Sequence, residues 1–295
     1  MGVYSIRDLE ILSGIKAHTL RIWEQRYAII EPKRTDSNIR YYDDEDLKRI
    51  LNISLLNRNG YKISKIAEMT DKEMMQEVVS LSDKNFKYPD QINLLVHCMV
   101  NLDKEVFEKI ISKSILQYGF ENTMLHIVFP FLNKVGLLWL TGSISPAQEH
   151  FISHLIKKKI MVALDGQILK KTEKSRKFML FLPEGDYHEL GLLFACYLIT
   201  SRGHDVLYLG NSLPLEHAMD AYNQYNPQYI FTVYTTPQIN FDVQEHLETL
   251  ADKFKDCKIY AKGYQIVGQG INPPSNVKIL VRMEELIPVL EYEIE

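Results

Sequence analysis

The spacing of apolar residues changes once along this chain of 295 residues, and that change limits the folds it can adopt. Between residues 88 and 170 apolar residues recur at intervals of three and four, as in Val106, Ile110 and Ile111, which predicts helices. From residue 177 onward, short apolar runs alternate with helical stretches, a pattern typical of a parallel sheet covered by helices. The sequence therefore predicts a bundle of about four helices followed by a doubly wound α/β domain of the flavodoxin-like or Rossmann-like type.

Five apolar runs in the last part of the chain are predicted strands. The expected strands are 178–182, 205–210, 229–234, 258–261 and 277–281, and the expected helices are 188–202, 215–225, 243–254 and 283–291. Ligands of such sheets bind beyond the carboxyl ends of the strands. We therefore expect the chemistry of this domain in the loop 183–187, which follows its first strand.

The first part of the chain reads as short helices broken by Gly14, Pro32 and Gly60. Ser5 is placed to cap a first helix, Gly14 makes a turn, and a second helix follows over residues 17–26. A short helix, a glycine turn and a second helix with polar residues at its start form the helix-turn-helix arrangement. The turn-rich stretch 32–42 predicts a hairpin suited to a wing, and helices are expected over 44–56 and 63–69. The predicted domains are residues 1–75, 88–170 and 176–295.

Composition narrows the function classes further. No apolar run approaches the roughly 20 residues needed to span a bilayer, and the start of the chain lacks the pattern of a signal peptide. Cys98, Cys196 and Cys257 lie far apart without metal-type spacing, which predicts reduced thiols and a cytoplasmic protein. The formal charge is −4, yet residues 1–70 hold 12 Lys+Arg against 10 Asp+Glu, which leaves 22 against 28 in the remainder. A mildly basic head on an acidic body permits a DNA-binding face at the head alone.

Several residues of the head fit a known pattern at fixed spacings. They are Leu20-Arg21, Trp23-Glu24, Arg26-Tyr27, Arg34 and Arg40-Tyr41-Tyr42. The set resembles the head of MerR-family regulators over residues 3–70. The resemblance implies that the second helix reads duplex DNA with Thr19 and Arg21, and that Arg40, Tyr41 and Tyr42 of the wing grip phosphates. Lys33, Arg34 and Arg40 are expected to neutralise phosphates, and Trp23 is expected in the core.

A second pattern follows the first predicted strand of the α/β domain. Asp186, His188 and Gly191 form Asp-x-His-x-x-Gly. Neutral imidazole is a good ligand for a transition metal, and a carboxylate two residues away can accept the other N–H of the ring. The pattern resembles that of cobalamin-binding domains such as those of methionine synthase and methylmalonyl-CoA mutase. The resemblance implies that His188 replaces the corrinoid's own base below cobalt, while the displaced nucleotide tail enters a slot in the sheet.

The rest of that family's pattern is matched in spacing more than in residue type. After Gly191, 41 residues intervene before Val233-Tyr234-Thr235, where the family has Ser-x-Leu. A further 26 intervene before Lys262-Gly263, where the family has Gly-Gly. The spacing assigns Val233, Thr235 and Gly263 to the cofactor site, and Lys262 adds bulk and charge where the family has none.

The helical segment carries a signature of its own, Trp139 followed after nine residues by Glu149-His150. It resembles the adenosylcobalamin-dependent photoreceptor repressors of the CarH/LitR type, in which a four-helix bundle covers the upper face of the corrin. The resemblance implies that Trp139, Glu149 and His150 contact the adenosyl group, and that the protein forms homodimers or homotetramers. Light-responsive members have a histidine directly after the tryptophan, and this chain has Leu140.

Three functions remain open from the sequence. The first is a regulator, expected to be a repressor, that adenosylcobalamin holds on DNA as an oligomer until light or depletion removes the adenosyl group. The second keeps the DNA head but uses the α/β domain for oligomerisation or another ligand, which Val233 and Lys262 favour. The third is a corrinoid methyltransferase or mutase subunit, against which the DNA head argues, so a protein that is not an enzyme is expected.

Overall fold

The computed structural model describes residues 3–35, 38–58, 60–81, 88–140, 144–168, 172–235, 241–267 and 269–293. The chain divides into two compact units, Met1–Leu155 and Ile156–Glu295. The first unit contains both the predicted head and most of the predicted bundle, and the boundary falls inside a helix rather than after residue 170. None of the helices within the described ranges is long and apolar enough to cross a bilayer.

The head begins with the predicted helix pair and hairpin. Its elements are α1 (Ile6–Ser13), α2 (Ala17–Tyr27), β1 (Lys33–Arg34), β2 (Arg40–Tyr41), α3 (Asp44–Arg58), α4 (Ile63–Ala67) and α5 (Asp71–Leu81). Ser5 and Asp8 form a capping box at the start of α1, and Gly14 ends this helix in the left-handed conformation, with φ 73°. β1 and β2 pair antiparallel, so the predicted wing is confirmed. The sequence analysis missed α5, although the side chains of Thr70 and Glu73 form a capping box at its start.

The bundle has four helical arms, as predicted. The first, second and fourth arms are α6 (Tyr88–Asn101), α7 (Lys104–Tyr118) and α10 (Pro146–Asp165). The third arm is continuous and consists of α8 (Phe120–Thr123), a π-helical turn (Met124–Val128) and α9 (Phe129–Leu140). The Asp103 carboxylate caps α7 by accepting from the backbone N–H of Val106 at 3.0 Å. The apolar residues at spacings of three and four face one another, and side chains such as Phe107, Ile127 and Phe131 are fully buried.

The second unit is built around a five-stranded parallel sheet. Its strands are β3 (Lys177–Pro183), β4 (Asp205–Leu213), β5 (Tyr229–Val233), β6 (Lys258–Lys262) and β7 (Val277–Leu280). Its helices are α11 (Leu190–Ser201), α12 (Leu215–Tyr225) and α13 (Val243–Lys253). The chain then closes with a 3₁₀ turn (Met283–Glu285), α14 (Leu286–Pro288) and a π-helical turn (Val289–Glu293). The strand order is β4-β3-β5-β6-β7, which is the flavodoxin-like order. The predicted doubly wound fold is confirmed. Because the strand order reverses between β3 and β5, a crevice opens at their carboxyl ends.

Helix α11 starts two residues later than the sequence predicts. The backbone N–H of His188 donates to the side chain of Asp186 at 2.9 Å, which holds residue 188 in a loop, and the helix begins at Leu190. The loop between β3 and α11 therefore carries both predicted site residues at the carboxyl edge of the sheet.

Candidate functional sites

The start of α2 is fixed by a residue of α1. The carboxylate of Glu10 accepts from the backbone N–H of Ala17 at 3.1 Å and from Lys16 Nζ at 3.0 Å. Those two bonds lower the pKa of Glu10, which keeps it charged at the positive end of α2. Sequence reasoning missed Glu10 because the turn places it seven positions before Ala17, outside the spacing of a local cap.

The predicted base-reading residues lie on the two sides of the outer face of α2. Leu20 is fully buried and marks the inner face. At about 100° per residue, Thr19 and Arg21 fall on either side of Leu20, and Thr19 is half-buried while Arg21 is exposed. The exposed residues His18 and Gln25 occupy the middle of the outer face. The sequence analysis left His18 and Gln25 out, although the helical period that places them is readable once Leu20 is known to be buried.

The cations of the wing already have partners within the head. Lys33 pairs with Asp43, and its Nζ lies 3.3 Å from the carboxylate of Asp46. Arg40 Nη1 lies 4.0 Å from the carboxylate of Glu24. Burial would raise the pKa of Asp43, but its bonds to Lys33 and to the Asp46 N–H lower it overall.

Arg34 and Tyr41 are the other two wing residues that the sequence assigns to phosphate contacts. Arg34 Nη1 donates to the Asn38 side chain at 2.8 Å and is exposed. Tyr41 is half-buried. Together with Lys33 and Arg40, these residues present positive charge and hydrogen-bond donors on the wing, which is what phosphate contacts require.

Tyr42 takes a different place from the one that the sequence analysis gave it. Its side chain is fully buried, its hydroxyl donates to Glu24, and burial raises its pKa. Its backbone forms a bridge with Tyr4 through bonds of 2.8 and 2.9 Å. A buried phenol cannot reach a phosphate, so we correct the assignment and leave Tyr42 out of the phosphate contacts. Tyr42 fastens the wing to α2 instead.

Trp23, expected in the core, is half-buried.

The loop after β3 brings together three of the residues that the sequence assigns to the cofactor site. Asp186 is buried, with 1% of its surface exposed. Its Oδ1 accepts from the His188 backbone N–H at 2.9 Å and lies 3.1 Å from His188 Nδ1, while Oδ2 accepts from the Thr235 N–H at 3.0 Å. Burial would raise the pKa of Asp186, but the bonds to His188 and Thr235 lower it overall. Asp186 is therefore a fixed carboxylate that links the ends of β3 and β5.

The pairing with Asp186 sets the chemistry of His188. An imidazole that donates its Nδ1–H to a carboxylate carries its lone pair on Nε2, which is the form that ligates a metal. The His188 side chain is 52% exposed at the edge of the sheet. The pair therefore fits a histidine that would bind a corrinoid cobalt: an imidazole at the surface with a buried carboxylate behind it.

Residues that the sequence analysis did not single out hold this loop in place. Gly185 N–H donates to Ser212 Oγ at 3.0 Å, and Ser212 N–H donates to the backbone carbonyl of Asp186 at 3.0 Å. Glu189 pairs with Lys157 and accepts from the Tyr208 hydroxyl at 3.0 Å. Ser212 lies near the end of β4, 26 residues after Asp186, and no local pattern in the sequence connects the two.

The two predicted glycines serve different purposes. A Cβ on Gly191 would lie 3.9 Å from Val233 and from Met283, so this glycine leaves space beside the carboxyl end of β5. A Cβ on Gly263 would lie 1.9 Å from the carbonyl oxygen of Tyr234, at a φ of +135°. Glycine at 263 is thus required by the approach of β5, whatever the ligand.

Of the residues at this site that differ from the family pattern, Lys262 is the one with a charged side chain. The side chain is half-buried, and this burial lowers its pKa, while the carboxylates of Glu284 and Glu285 act in the opposite direction. The residues around His188 fit the cobalt, whereas Lys262 puts an ammonium group in the region assigned to the nucleotide tail.

A cavity of about 300 Å³ lies on the face of the sheet opposite to Val233. Its lining is mostly apolar, from Phe181, Leu213, Leu215 and Phe241, with Glu184 and His246. The buried Tyr234 hydroxyl forms a hydrogen bond with His246 Nδ1 at 2.8 Å, and burial lowers the pKa of His246 to about 4. Because side chains alternate along β5, Val233 and Tyr234 point to opposite faces, so this cavity is separate from the space beside Gly191.

The bundle signature lies at the adjoining ends of α9 and α10. Trp139 and Leu140 belong to the last turn of α9, but their side chains lie outside the described part of the structure. Glu149 is half-buried in the first turn of α10 and accepts from Ser153 Oγ at 2.8 Å. His150 is 70% exposed, and its Nε2 lies 3.5 Å from the Glu149 carboxylate.

Comparisons with known proteins match separate parts of the chain. The model of the MerR HTH family regulatory protein matches residues 4–73, and the model of the B12 binding domain matches residues 91–163, which are the bundle. The chain is 22% identical to the HTH-type transcriptional repressor CarH of Myxococcus xanthus over 77% of each protein. It is 31% identical to the HTH-type transcriptional regulator ZntR homolog of Haemophilus influenzae, over 34% of this chain and 77% of that protein.

Among solved structures, the chain is similar to the Methanosarcina barkeri monomethylamine corrinoid protein. The TM-score is 0.54 at 13% identity, and the match covers 70% of this chain and 99% of that protein. At that level of identity the similarity shows the fold alone, a helical segment followed by a parallel α/β sheet.

Proposed function

Because the chain belongs to the MerR family of helix-turn-helix regulators and carries a B12 binding domain, we propose that it is a transcription repressor controlled by a corrinoid, adenosylcobalamin. The observation that carries the proposal is the Asp186–His188 pair at the carboxyl end of β3, held from β5 by Thr235. A histidine fixed in this way fits the lower face of a corrinoid cobalt, and the head supplies a DNA-binding surface.

The DNA side of the proposal rests on α2 and the wing. α2 enters the major groove, where Thr19 and Arg21 contact base edges. Lys33, Arg34, Arg40 and Tyr41 contact the phosphates. Lys33 and Arg40 must exchange their carboxylate partners, Asp43 and Glu24, for phosphates when DNA binds, so affinity should fall steeply with salt.

On the corrinoid side, His188 would hold cobalt through Nε2, and Asp186 would fix the orientation of its ring. Gly191, Val233, Thr235 and Gly263 line the edge of the sheet where the ligand enters. From the sequence signature, Trp139, Glu149 and His150 contact the upper ligand. A bound adenosylcobalamin would supply a cobalt–carbon bond that light can cleave, depletion would leave the site without the cofactor, and the chain's own residues would hold and orient it.

We also propose that the corrinoid-loaded protein assembles with itself. Regulators of this fold read operators with two half-sites, and a two-fold operator requires two heads. Sedimentation of the full chain with and without adenosylcobalamin in the dark measures the assembly. A mass that does not change on adding the corrinoid would remove self-association from the proposal.

Corrinoid binding is tested by absorbance titration of the full chain with adenosylcobalamin in the dark. Ligation by His188 changes the visible spectrum, because the corrinoid's own base is displaced from cobalt, and His188→Ala should abolish that change. His217→Ala is the matched control, since His217 is 64% exposed and its Nδ1 lies 4.0 Å from the Asp220 carboxylate. Equal spectra and affinities in the two variants would refute the assignment.

A second function, in which the α/β domain binds no corrinoid, is favoured by the half-buried Lys262. In that case the chain is a DNA-binding regulator whose α/β domain serves oligomerisation or another ligand. Lys262→Gly restores the glycine pair of the family at positions 262 and 263. A corrinoid affinity that appears only in Lys262→Gly would establish the second function and reject the first.

A further inference from the structure

The last carbonyl groups of α1, just before the helix-turn-helix turn, are bound by side chains of other helices. Lys134 of α9 donates to the carbonyl oxygen of Leu12 at 3.1 Å and to Asn93 Oδ1 at 3.2 Å. Ser54 of α3 donates to the carbonyl oxygen of Ser13 at 2.7 Å. Asn93 of α6 also donates to the carbonyl oxygen of Ser13, at 3.5 Å, so the end of α1 contacts side chains from three helices.

The position of the Lys134 ammonium group makes this contact a strong one. The carbonyls of the last turn form the negative end of a helix, and a cation there is stabilising, most of all in a partly buried site. Ser13, Ser54 and Asn93 are buried and Lys134 is half-buried, so water competes only in part. Asn93 Oδ1 accepts a second hydrogen bond from Lys134 Nζ, which restricts the direction of the lysine side chain.

The end of α1 is in turn fastened to the start of α2. Ser13 Oγ accepts from the Ile15 N–H at 3.1 Å across the turn. Glu10 accepts from the Ala17 N–H at 3.1 Å, as described above. A displacement of the end of α1 would therefore carry the first turn of α2 with it, and α2 carries Thr19 and Arg21.

We propose that Lys134 is a positioning residue for DNA reading: it locks α1, and through α1 the reading helix α2, to the bundle helix α9. The inference rests on the proposed function and adds its regulation. Trp139 lies five residues beyond Lys134 on the same helix, about 7.5 Å along its axis. A ligand that moves the end of α9 therefore moves the residue that sets the orientation of α2.

A distance measurement in the full chain tests the lock without any DNA. Spin labels are placed at Gln25→Cys, on α2, and at Leu116→Cys, on α7, since Gln25 is exposed and Leu116 is 89% exposed. The natural cysteines, Cys98, Cys196 and Cys257, are buried and react slowly by comparison. Pulsed dipolar spectroscopy should give one narrow distance distribution in the parent and a broadened or shifted one in Lys134→Met.

Two further variants separate positioning from general stability. Lys134→Arg keeps a cation and should restore the narrow distribution, whereas the exposed Lys104→Met, at the start of α7, should leave it unchanged. A broad distribution in the parent, or an unchanged one in Lys134→Met, would overturn the proposal. If Lys134→Met simply unfolds the protein, circular dichroism will show a loss of helicity. Asn93→Ala, which removes the second acceptor of Lys134, then replaces it in the test and should broaden the distance distribution. A narrow distribution in Asn93→Ala would overturn the proposal.

DNA binding supplies the readout for function. Lys134→Met should reduce the ratio of specific to non-specific affinity by about tenfold, because a tilted α2 loses base contacts while the wing keeps its charge. Equal loss of both affinities would mean a structural role only. A parent that shows no specific DNA binding would contradict the proposed function, and the distance distributions would still decide whether Lys134 locks the head.

Discussion

The wing of the head and the loop after β3 both place charged residues at a surface, but they satisfy those charges in opposite ways. In the wing, Lys33 and Arg40 are 44% and 41% exposed and pair with carboxylates of the head itself. In the loop, Asp186 is 1% exposed and its two oxygens are fixed by His188 and Thr235. The wing must exchange partners to bind a ligand, whereas the loop is ready before the ligand arrives.

The difference follows from what each surface recognises. A phosphate backbone is a flexible, repeating polyanion, and binding it exchanges one set of ion pairs for another while counterions are released. A metal ligand must hold a single atom within a few tenths of an ångström, and that demands a buried partner with no freedom to rotate. Mutations should therefore act on affinity in the loop and on salt dependence in the wing.

The largest effect is expected at Asp186. Asp186→Asn keeps the size of the side chain but removes the charge that orients and polarises His188, so corrinoid affinity should fall by about 10- to 100-fold. Absorbance titration in the dark measures this. Asp220→Asn, beside the exposed His217, is the control and should be silent. If Asp186→Asn bound the corrinoid as tightly as the parent, the loop would not be organised for a metal ligand.

Specificity for bases should depend on α2 rather than on the wing. Arg21→Ala should reduce discrimination between the operator and single-base variants by about 1–3 kcal/mol at one position. Arg40→Ala should weaken binding to all sequences alike and lower the slope of log affinity against log salt by about 0.9 per contact. Titrations of both variants at several salt concentrations separate the two roles. The assignment fails if the two variants lose affinity and selectivity in the same proportion.

The sequence predicts the elements of both regions well, and their tertiary contacts poorly. Ser5, Gly14 and the residues around 33–42 carry local signals for a cap, a turn and a hairpin, and the structure has all three. The family resemblance predicts that Tyr42 contacts phosphates, but its bond to Glu24, which crosses between elements, holds it in the core. Helical periodicity alone could not have found that bond.

The same limit applies to the contacts that hold the sites together. Asp186 and His188 are two residues apart and are readable as a pair, and the spacing to Thr235 placed it at the end of the neighbouring strand. Ser212 donates its backbone N–H to the carbonyl of Asp186, 26 positions away, and Lys134 donates its ammonium group to the carbonyl of Leu12, 122 positions away. Hydrogen bonds to distant backbone carbonyls leave no pattern in the sequence.

The stability of the α/β domain should depend on pH because of His246, which lies on α13. Burial lowers its pKa to about 4 in the folded protein, against about 6.5 when unfolded, so the unfolded state binds the proton more readily. The stabilisation is therefore full above pH 6.5 and is lost as the pH falls from 6.5 towards 4, by about 2 kcal/mol between pH 7 and 5. Thermal unfolding at these two pH values should show a lower midpoint at pH 5.

His246→Asn supplies the control, because its amide oxygen can accept from the Tyr234 hydroxyl in place of Nδ1 and does not titrate. The pH-dependent shift that belongs to the α/β domain should shrink in this variant. An identical shift in the parent and in His246→Asn would mean that other groups, such as the buried His97 and His204, cause the acid sensitivity.

The smallest effect tests the wing side of the comparison directly. Glu24 accepts from the buried Tyr42 hydroxyl and lies 4.0 Å from Arg40, so it both fastens the wing and holds back one of its cations. Glu24→Gln keeps an acceptor for Tyr42 but removes the charge that competes with phosphate. Non-specific duplex affinity at low salt should rise two- to fivefold, the range expected for releasing one weak ion pair. The gain should vanish in the Arg40→Ala background, because the two residues then no longer interact. A gain that persists without Arg40 would show that Glu24 repels DNA by its own charge, and that the wing does not have to exchange this partner to bind.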